Sequence, residues 1–189
     1  MFLENAATRI AVPSPTHYDP AWPGLATEAI VELVAALPTV LVEIEHIGST
    51  SVAGRAAKPI IDLMAATADL TTFAEREPAL VELGYRRHDN VMADRLLYER
   101  DNHGVRTHIL HVVSLESWPT RNQRFLRDYL RAHPSDAERY AELKRAIAAS
   151  GIAVGDYSRE KTALIQELTD RARAERGLPS VPVWEKAAP

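Results

Sequence analysis

The sequence predicts a single α+β domain: a mixed sheet of about four or five strands, flanked by helices, with a helical C-terminal part. Strand-like apolar runs occur up to Val113, and helical apolar periodicity follows Thr120. No repeat, low-complexity tract or linker divides the 189 residues. The domain is expected to span residues 1–177, followed by a proline-rich tail over 178–189.

The first half of the chain shows a helix, two strands and a second helix. Asp19-Pro20 is a typical helix start, and Pro38 ends the apolar periodicity that follows it. Alternation over Val40–Ile47 predicts a strand. Pro59–Ala65 is apolar on both sides of its single acid, which predicts a strand covered on both faces. A helix is expected from Asp69 to about Leu83, where a glycine ends it.

The second half is predicted to be a hairpin followed by helices. Asp101-Asn102-His103-Gly104 is a good turn between strands over 95–99 and 105–113. Apolar residues from Phe125 to Leu130 form a helical stripe. Ser135 with Glu138 predicts a capping box for the next helix, and Ser158 is the expected cap of the last one.

The composition restricts the classes of function. The chain has no cysteine, which excludes thiolate catalysis, disulfides and cysteine-bound metals. A formal net charge of −4 without a basic run disfavours nucleic acid as a partner. Neither a secretory signal nor a membrane-spanning run is recognised, so a cytoplasmic protein without a membrane partner is expected. The oligomeric state stays open.

A glycine and three hydroxyl residues end the first predicted strand, and an acid lies in the next strand. Glycine lets the backbone turn tightly against a phosphate, and the N–H and hydroxyl groups of Ser49, Thr50 and Ser51 can donate to its oxygens. Asp62 is expected beside this turn, where a carboxylate can hold a divalent cation against a phosphate. A plain polar turn next to a hydrogen-bonded core carboxylate explains these residues equally well.

These residues lie in a longer segment that resembles a known family. His46-Ile47-Gly48-Ser49-Thr50-Ser51-Val52, followed by Lys58-Pro59-Ile60-Ile61-Asp62, is similar to the signature of the GrpB (UPF0157) family, a branch of the nucleotidyltransferase superfamily. The resemblance covers about residues 8–172. Its other segments are Tyr18–Pro23, Thr107–Val113, Phe125–Pro134, Tyr140 with Leu143-Lys144, and Tyr157 with Lys161.

The resemblance implies a nucleotidyltransferase-like fold and a nucleotide site. Gly48 and Ser49 would bind phosphate, and Asp62 would be catalytic and hold Mg²⁺ or Mn²⁺, with ATP or another nucleoside triphosphate as substrate. Active nucleotidyltransferases have a second acid two residues further on, on the same side of the strand, where this chain has Met64.

The expected function is therefore transfer of a nucleotidyl group to an unknown acceptor. Two alternatives stay open. The protein could be a non-catalytic accessory that binds a nucleotide or a phosphorylated metabolite, because Met64 replaces the second acid. It could also be an ATP-dependent, ligase-like enzyme that uses the same pocket.

Other polar residues are candidates for this site. Glu45, three residues before the glycine, is the best substitute for the missing acid and a candidate catalytic residue. His46 and His111 lie on strands expected to converge at the cleft, His46 as a metal ligand and His111 as a catalytic residue. Lys144 and Lys161, which match the family pattern, would contact phosphate.

Overall fold

Five strands form one mixed sheet in the computed structural model, which describes residues 10–88, 94–149 and 162–183. The strands are β1 (Glu43–Ile47), β2 (Ile61–Thr67), β3 (Tyr85–Arg87), β4 (Arg95–Asn102) and β5 (Val105–Ser114). Their order across the sheet is β1-β2-β5-β4-β3, in which β2 and β5 are parallel and all other neighbouring pairs are antiparallel. The predicted α+β class and mixed sheet are confirmed.

Helices pack on both sides of this sheet. Within the described ranges they are α1 (Trp22–Ala36), α2 (Leu70–Ala74), α3 (Glu77–Glu82), α4 (Asn122–Ala132), α5 (Pro134–Ala149) and α6 (Thr162–Ala174). Among the described residues, no helix has both the length and the apolar composition that are needed to span a lipid bilayer.

The larger core lies between the sheet and the first three helices. Alternate residues of β2, such as Leu63, point to this face and pack with Leu33 of α1, Phe73 of α2 and Leu80 of α3. All four side chains are fully buried. The hydrophobic contacts of this layer fix the position of β2, the strand that carries Asp62.

The opposite face of the sheet carries a smaller apolar cluster and one acid. Met64 and Ala66 of β2 pack there with Ile47, Val113 and Trp118. Asp62 lies two residues before Met64, so its side chain points to the same face of the sheet, at the start of the strand. Helices α4 and α6 pack against each other on this side around Phe125, Leu130 and Leu168.

Several predicted boundaries are corrected by the structure. The expected helix from Asp69 to Leu83 is two helices in the structure. The helical conformation ends after α2, and a new helix, α3, begins with Pro78 in its first turn. The predicted capping box at Ser135 and Glu138 does not form: α5 begins one residue earlier, at Pro134, and the Glu138 carboxylate bonds arginines instead. The three-residue strand β3 was not predicted.

Other predicted features fall partly or wholly outside the described residues. The predicted end of α5 at Gly151 and the cap at Ser158 belong to this group. The first residues of the predicted C-terminal tail are described and pack against α6. Gln166 donates to the Val181 carbonyl and accepts from the Val183 N–H group, both at 2.9 Å.

Candidate functional site

Gly48 follows β1 in a backbone conformation that only glycine adopts readily. Its φ of 70° and ψ of −169° lie in the glycine-only region. A Cβ atom at this position would overlap Oδ2 of Asp62 and lie 2.9 Å from both Cβ and Cγ of that residue. The Asp62 side chain therefore packs directly on the glycine backbone. Both the dihedral angles and this contact require glycine at position 48.

A cleft of about 240 Å³ opens beside this contact. The sheet side contributes Gly48, Ser49, Asp62 and His111 to its wall. The other wall comes from the C-terminal helices and tail, with residues Asn122, Gln123, Leu126, Arg127, Leu130, Tyr140, Ile165, Thr169 and Val183. We call this cavity the main cleft. Its lining combines apolar side chains with polar groups that can orient a ligand, as the linings of small-molecule sites do.

Of the three predicted hydroxyl donors, only Ser49 lines the main cleft. The Thr50 hydroxyl is buried and donates to the Ile60 carbonyl at 3.1 Å. The Ser51 hydroxyl donates to the Gly48 carbonyl at 2.6 Å. The prediction that all three hydroxyls bind phosphate is therefore corrected: two of them stabilise the turn. Ser49 makes no side-chain hydrogen bond to any residue that the structure describes.

His46 lies on the other face of the sheet from Asp62. It pairs with Leu63, whereas Asp62 pairs with Ile47, so the two side chains point in opposite directions. Its Nε2 donates to the Thr50 hydroxyl at 2.9 Å, since that hydroxyl already donates elsewhere. Burial, aided by nearby arginines, lowers the pKa of His46 to about 4. The predicted metal pair of His46 and Asp62 does not form, and His46 holds the turn instead.

His111 shares the face of Asp62 and lines the main cleft. It pairs with Met64, and its Nδ1 lies 3.2 Å from Nη1 of Arg95. Burial, with the charges of Arg95 and Arg121, lowers the pKa of His111 to about 3. The ring is therefore neutral near pH 7. With Arg95 donating to Nδ1, its proton is assigned to Nε2, which makes it a hydrogen-bond donor and a poor base.

Glu45 lies on the same face of the sheet, but two arginines of α4 neutralise the charge of its carboxylate. Its carboxylate accepts from Arg124 at 2.7 and 3.1 Å and from Arg127 at 2.5 Å. Burial raises the pKa of Glu45, but the hydrogen bonds and charges of Arg124 and Arg127 outweigh it and hold the pKa below its usual value. Glu45 does not line the main cleft. The structure therefore assigns it to anchoring α4 rather than to replacing the missing acid.

The residues present do not fit a pair of catalytic metals. Met64 is fully buried in the apolar cluster at the position of the second acid. No group of three histidine, aspartate or glutamate side chains in the described ranges could hold a metal ion. A single nucleotide-borne Mg²⁺ or Mn²⁺ does fit, because magnesium is often held by one carboxylate together with phosphate oxygens. Asp62 would hold that ion, which would neutralise charge between carboxylate and phosphate.

The two predicted lysines differ in what can be described. Lys144 is buried behind the main cleft, with its ammonium group 5.3 Å from the centre of the Tyr140 ring. It shares a small cavity of about 10 Å³ with Ser49 and Tyr140, so it supports the Ser49 end of the cleft without lining it. Lys161 lies outside the described residues.

Sequence reasoning missed the wall that the C-terminal helices provide. Asn122 and Gln123 begin α4 and face the main cleft, and Arg127 follows one turn later. Thr169 of α6 and Val183 of the tail complete this wall. The arginines of α4, at positions 124, 127 and 131, share one helix face. Their spacing was a usable signal that this face of α4 packs on the sheet, since two of them bind Glu45 of β1.

The fold and the site define a small α+β protein in which a strand-ending glycine and an acid meet beside a cleft. The model of the family described as GrpB protein matches residues 14–171. The chain is 34% identical over 160 residues to the UPF0157 protein BH1888 of Halalkalibacterium halodurans, covering 84% of this chain and 81% of that protein. This chain belongs to the GrpB family.

Two further relatives agree with this assignment. The UPF0157 protein PA4798 of Pseudomonas aeruginosa is 36% identical over 173 residues, which cover 86% of this chain and 69% of that protein. The crystal structure of the conserved protein GrpB from Enterococcus faecalis superposes with a TM-score of 0.79 at 28% identity, covering 86% of this chain and 99% of that one.

Proposed function

We propose that this protein binds a nucleotide, or another small phosphorylated molecule, in the main cleft. The observation that carries the proposal is the packing of the Asp62 carboxylate on the Gly48 backbone at the cleft wall. This contact places an acid that can hold one divalent cation beside a turn whose Ser49 hydroxyl is available to a ligand.

The groups around Asp62 suit a phosphate oxygen. The neutral His111 ring offers an N–H donor, and the guanidinium group of Arg127, which also binds Glu45, lies in the same lining. The first turn of α4 adds the N–H groups of Asn122 and Gln123, which lie at a helix start and make no backbone hydrogen bond within the described ranges. The apolar side chains of Leu126 and Leu130, in the same lining, would contact the rest of the ligand.

Nucleotidyl transfer is the competing function. The retained Gly48, Ser49 and Asp62 favour it, since they match the residues that the family resemblance connects with nucleotide and metal. Met64 in its apolar cluster and Glu45 in its arginine pairs oppose it, because neither supplies a second metal-binding carboxylate. These two residues lead us to favour ligand binding without two-metal catalysis.

Calorimetric titration tests the binding proposal. The purified protein is titrated with ATP, GTP, CTP and UTP, each with Mg²⁺ or Mn²⁺. At least one nucleotide is expected to bind, and Asp62→Asn should abolish its metal-dependent part. Glu28→Gln, an exposed acid on α1, is the matched control and should bind as the wild type does. Absence of binding for every nucleotide and metal combination would overturn the proposal.

A second measurement separates binding from transfer. Pyrophosphate release is followed from the bound nucleotide in the presence of a small-molecule cell extract as acceptor source. We expect no release by the wild-type protein. Release that disappears in Asp62→Asn would instead establish nucleotidyl transfer and assign the single acid a catalytic role.

A further inference from the structure

A second cavity of about 200 Å³ adjoins the main cleft. The two cavities share Asn122, Gln123 and Val183 in their linings. The start of α4 and the end of the described tail therefore form a common wall. Because Arg121 and Arg173 line only the second cavity, we call it the arginine compartment.

The two arginines give this compartment a net positive charge. Arg121 is 9% exposed and Arg173 is 5% exposed. The acid among the described lining residues is Asp94, whose side chain is 45% exposed and pairs with Arg121 at 2.7 Å. Guanidinium groups keep their charge when buried, so the compartment favours an anionic occupant.

In each arginine, two nitrogens of the guanidinium group are held by hydrogen bonds and the third has N–H groups left for a ligand. Arg121 donates from Nε and Nη2 to the Ser117 hydroxyl, at 3.0 and 2.7 Å. Arg173 donates from Nε to the Pro179 carbonyl at 2.5 Å and from Nη1 to Oδ1 of Asn122 at 2.9 Å. Nη1 of Arg121 and Nη2 of Arg173 make no hydrogen bond to the residues described in the structure.

We propose that the arginine compartment binds a carboxylate or phosphate group of a second small molecule. Anchored guanidinium groups with spare N–H donors are suited to both anions, whose oxygens accept charge-assisted hydrogen bonds. The two arginines that line only this compartment would bind the anionic group of that molecule.

The shared wall places the second ligand next to the first. A molecule held by Arg121 and Arg173 would extend past Asn122 and Gln123 towards the phosphate-bearing ligand of the main cleft. Its identification as a partner of that ligand rests on the proposed function. The anion site itself depends only on the arginine compartment.

The test uses inorganic phosphate and succinate as probes in calorimetric titrations. At least one probe is expected to bind the wild-type protein with a dissociation constant on the order of 1 mM. Arg121→Gln and Arg173→Gln should each weaken binding by about tenfold, because each removes one charged hydrogen-bond donor. Arg145→Gln is the matched control: this exposed arginine of α5 pairs with Glu138 and lines neither cavity.

A fourth variant keeps the test independent of folding defects. Asp94→Asn removes the anion that competes for Arg121, so the probe should bind about threefold more tightly. A gain in affinity cannot arise from a poorly folded protein. Unchanged or weaker probe binding by Asp94→Asn would contradict the proposed role of the compartment.

The outcomes separate the two ligand chemistries and the two proposals. Binding of phosphate alone indicates a phosphorylated second ligand, and binding of succinate alone indicates a carboxylate; either supports the site. No binding of either probe up to about 20 mM overturns it, as does binding that both arginine variants leave unchanged. A nucleotide titration on the same preparation shows independently whether the main cleft is functional.

Discussion

Replacing Gly48 with alanine should damage stability and the main cleft together. The backbone angles at position 48 cost about 1–3 kcal/mol for a residue with a Cβ atom. The overlap with the Asp62 carboxylate adds about 1–3 kcal/mol of overpacking. We therefore expect a loss of about 2–6 kcal/mol, which lowers the Tm of a chain of this length by roughly 4–24 °C.

Urea unfolding followed by circular dichroism measures this loss, and Gly54→Ala is its matched control. Gly54 also has a positive φ, 73°, but a Cβ atom there would meet nothing within 4 Å. Gly54→Ala should therefore cost only about 1–2 kcal/mol. Nucleotide binding should fall at least about tenfold in Gly48→Ala, because the Asp62 carboxylate must move, and stay unchanged in Gly54→Ala.

A double-mutant cycle isolates the contact between the two residues. In an Asp62→Gly background the added methyl group has no carboxylate to overlap, so Gly48→Ala should lose only its backbone cost. The coupling energy is expected to be about 1–3 kcal/mol. Equal losses in Gly48→Ala and Gly54→Ala, or a coupling energy near zero, would refute the argument that Asp62 restricts position 48.

Three further predictions concern the groups around this contact. Glu45→Gln should cost about 1–3 kcal/mol in urea unfolding, because two arginines lose their partner, whereas Glu43→Gln on the same strand should change stability little. The pKa of His111 lies below its unfolded value of about 6.5, so the contribution of the neutral ring to stability is lost as pH falls from about 6.5 towards 3. Over this range the unfolding free energy of His111→Gln should fall less steeply with pH than that of the wild type, by up to about 1.4 kcal/mol per pH unit. Parallel plots of unfolding free energy against pH for the two proteins would contradict this. Met64→Asp should destabilise the protein by about 3–5 kcal/mol and Met64→Leu by less than about 1.5 kcal/mol, whereas a stable Met64→Asp variant with increased Mn²⁺ affinity would point to a decayed two-metal enzyme.

The hydroxyl residues show where sequence reasoning about the site stopped. Ser49, Thr50 and Ser51 are chemically similar, and each can bind a phosphate oxygen. The single turn that they form directs the Thr50 and Ser51 hydroxyls towards backbone carbonyls, at Ile60 and Gly48. This outcome depends on the path of the chain around the turn, which residue type does not encode.

The strand residues around Asp62 show that the sequence also leaves open which side chains share a face of the sheet. Alternation along β1 already implies that Glu45 and His46 face opposite sides. Which of them shares the face of Asp62 depends on the pairing of Ile47 with Asp62, because a shift of one residue exchanges the faces. The family resemblance implies that His111 belongs to the site, whereas its pairing with Arg95 and its low pKa come from the structure.

The sequence by itself determined the α+β class, the family and the meeting of Gly48 with Asp62, because local periodicity, turn residues and one continuous motif encode them. Tertiary structure decided what surrounds that pair. Arg124 reaches Glu45 from 79 residues away, and the tail residue Val183 closes the cleft wall. Such contacts depend on how the C-terminal helices pack on the sheet, and local sequence signals do not specify that packing.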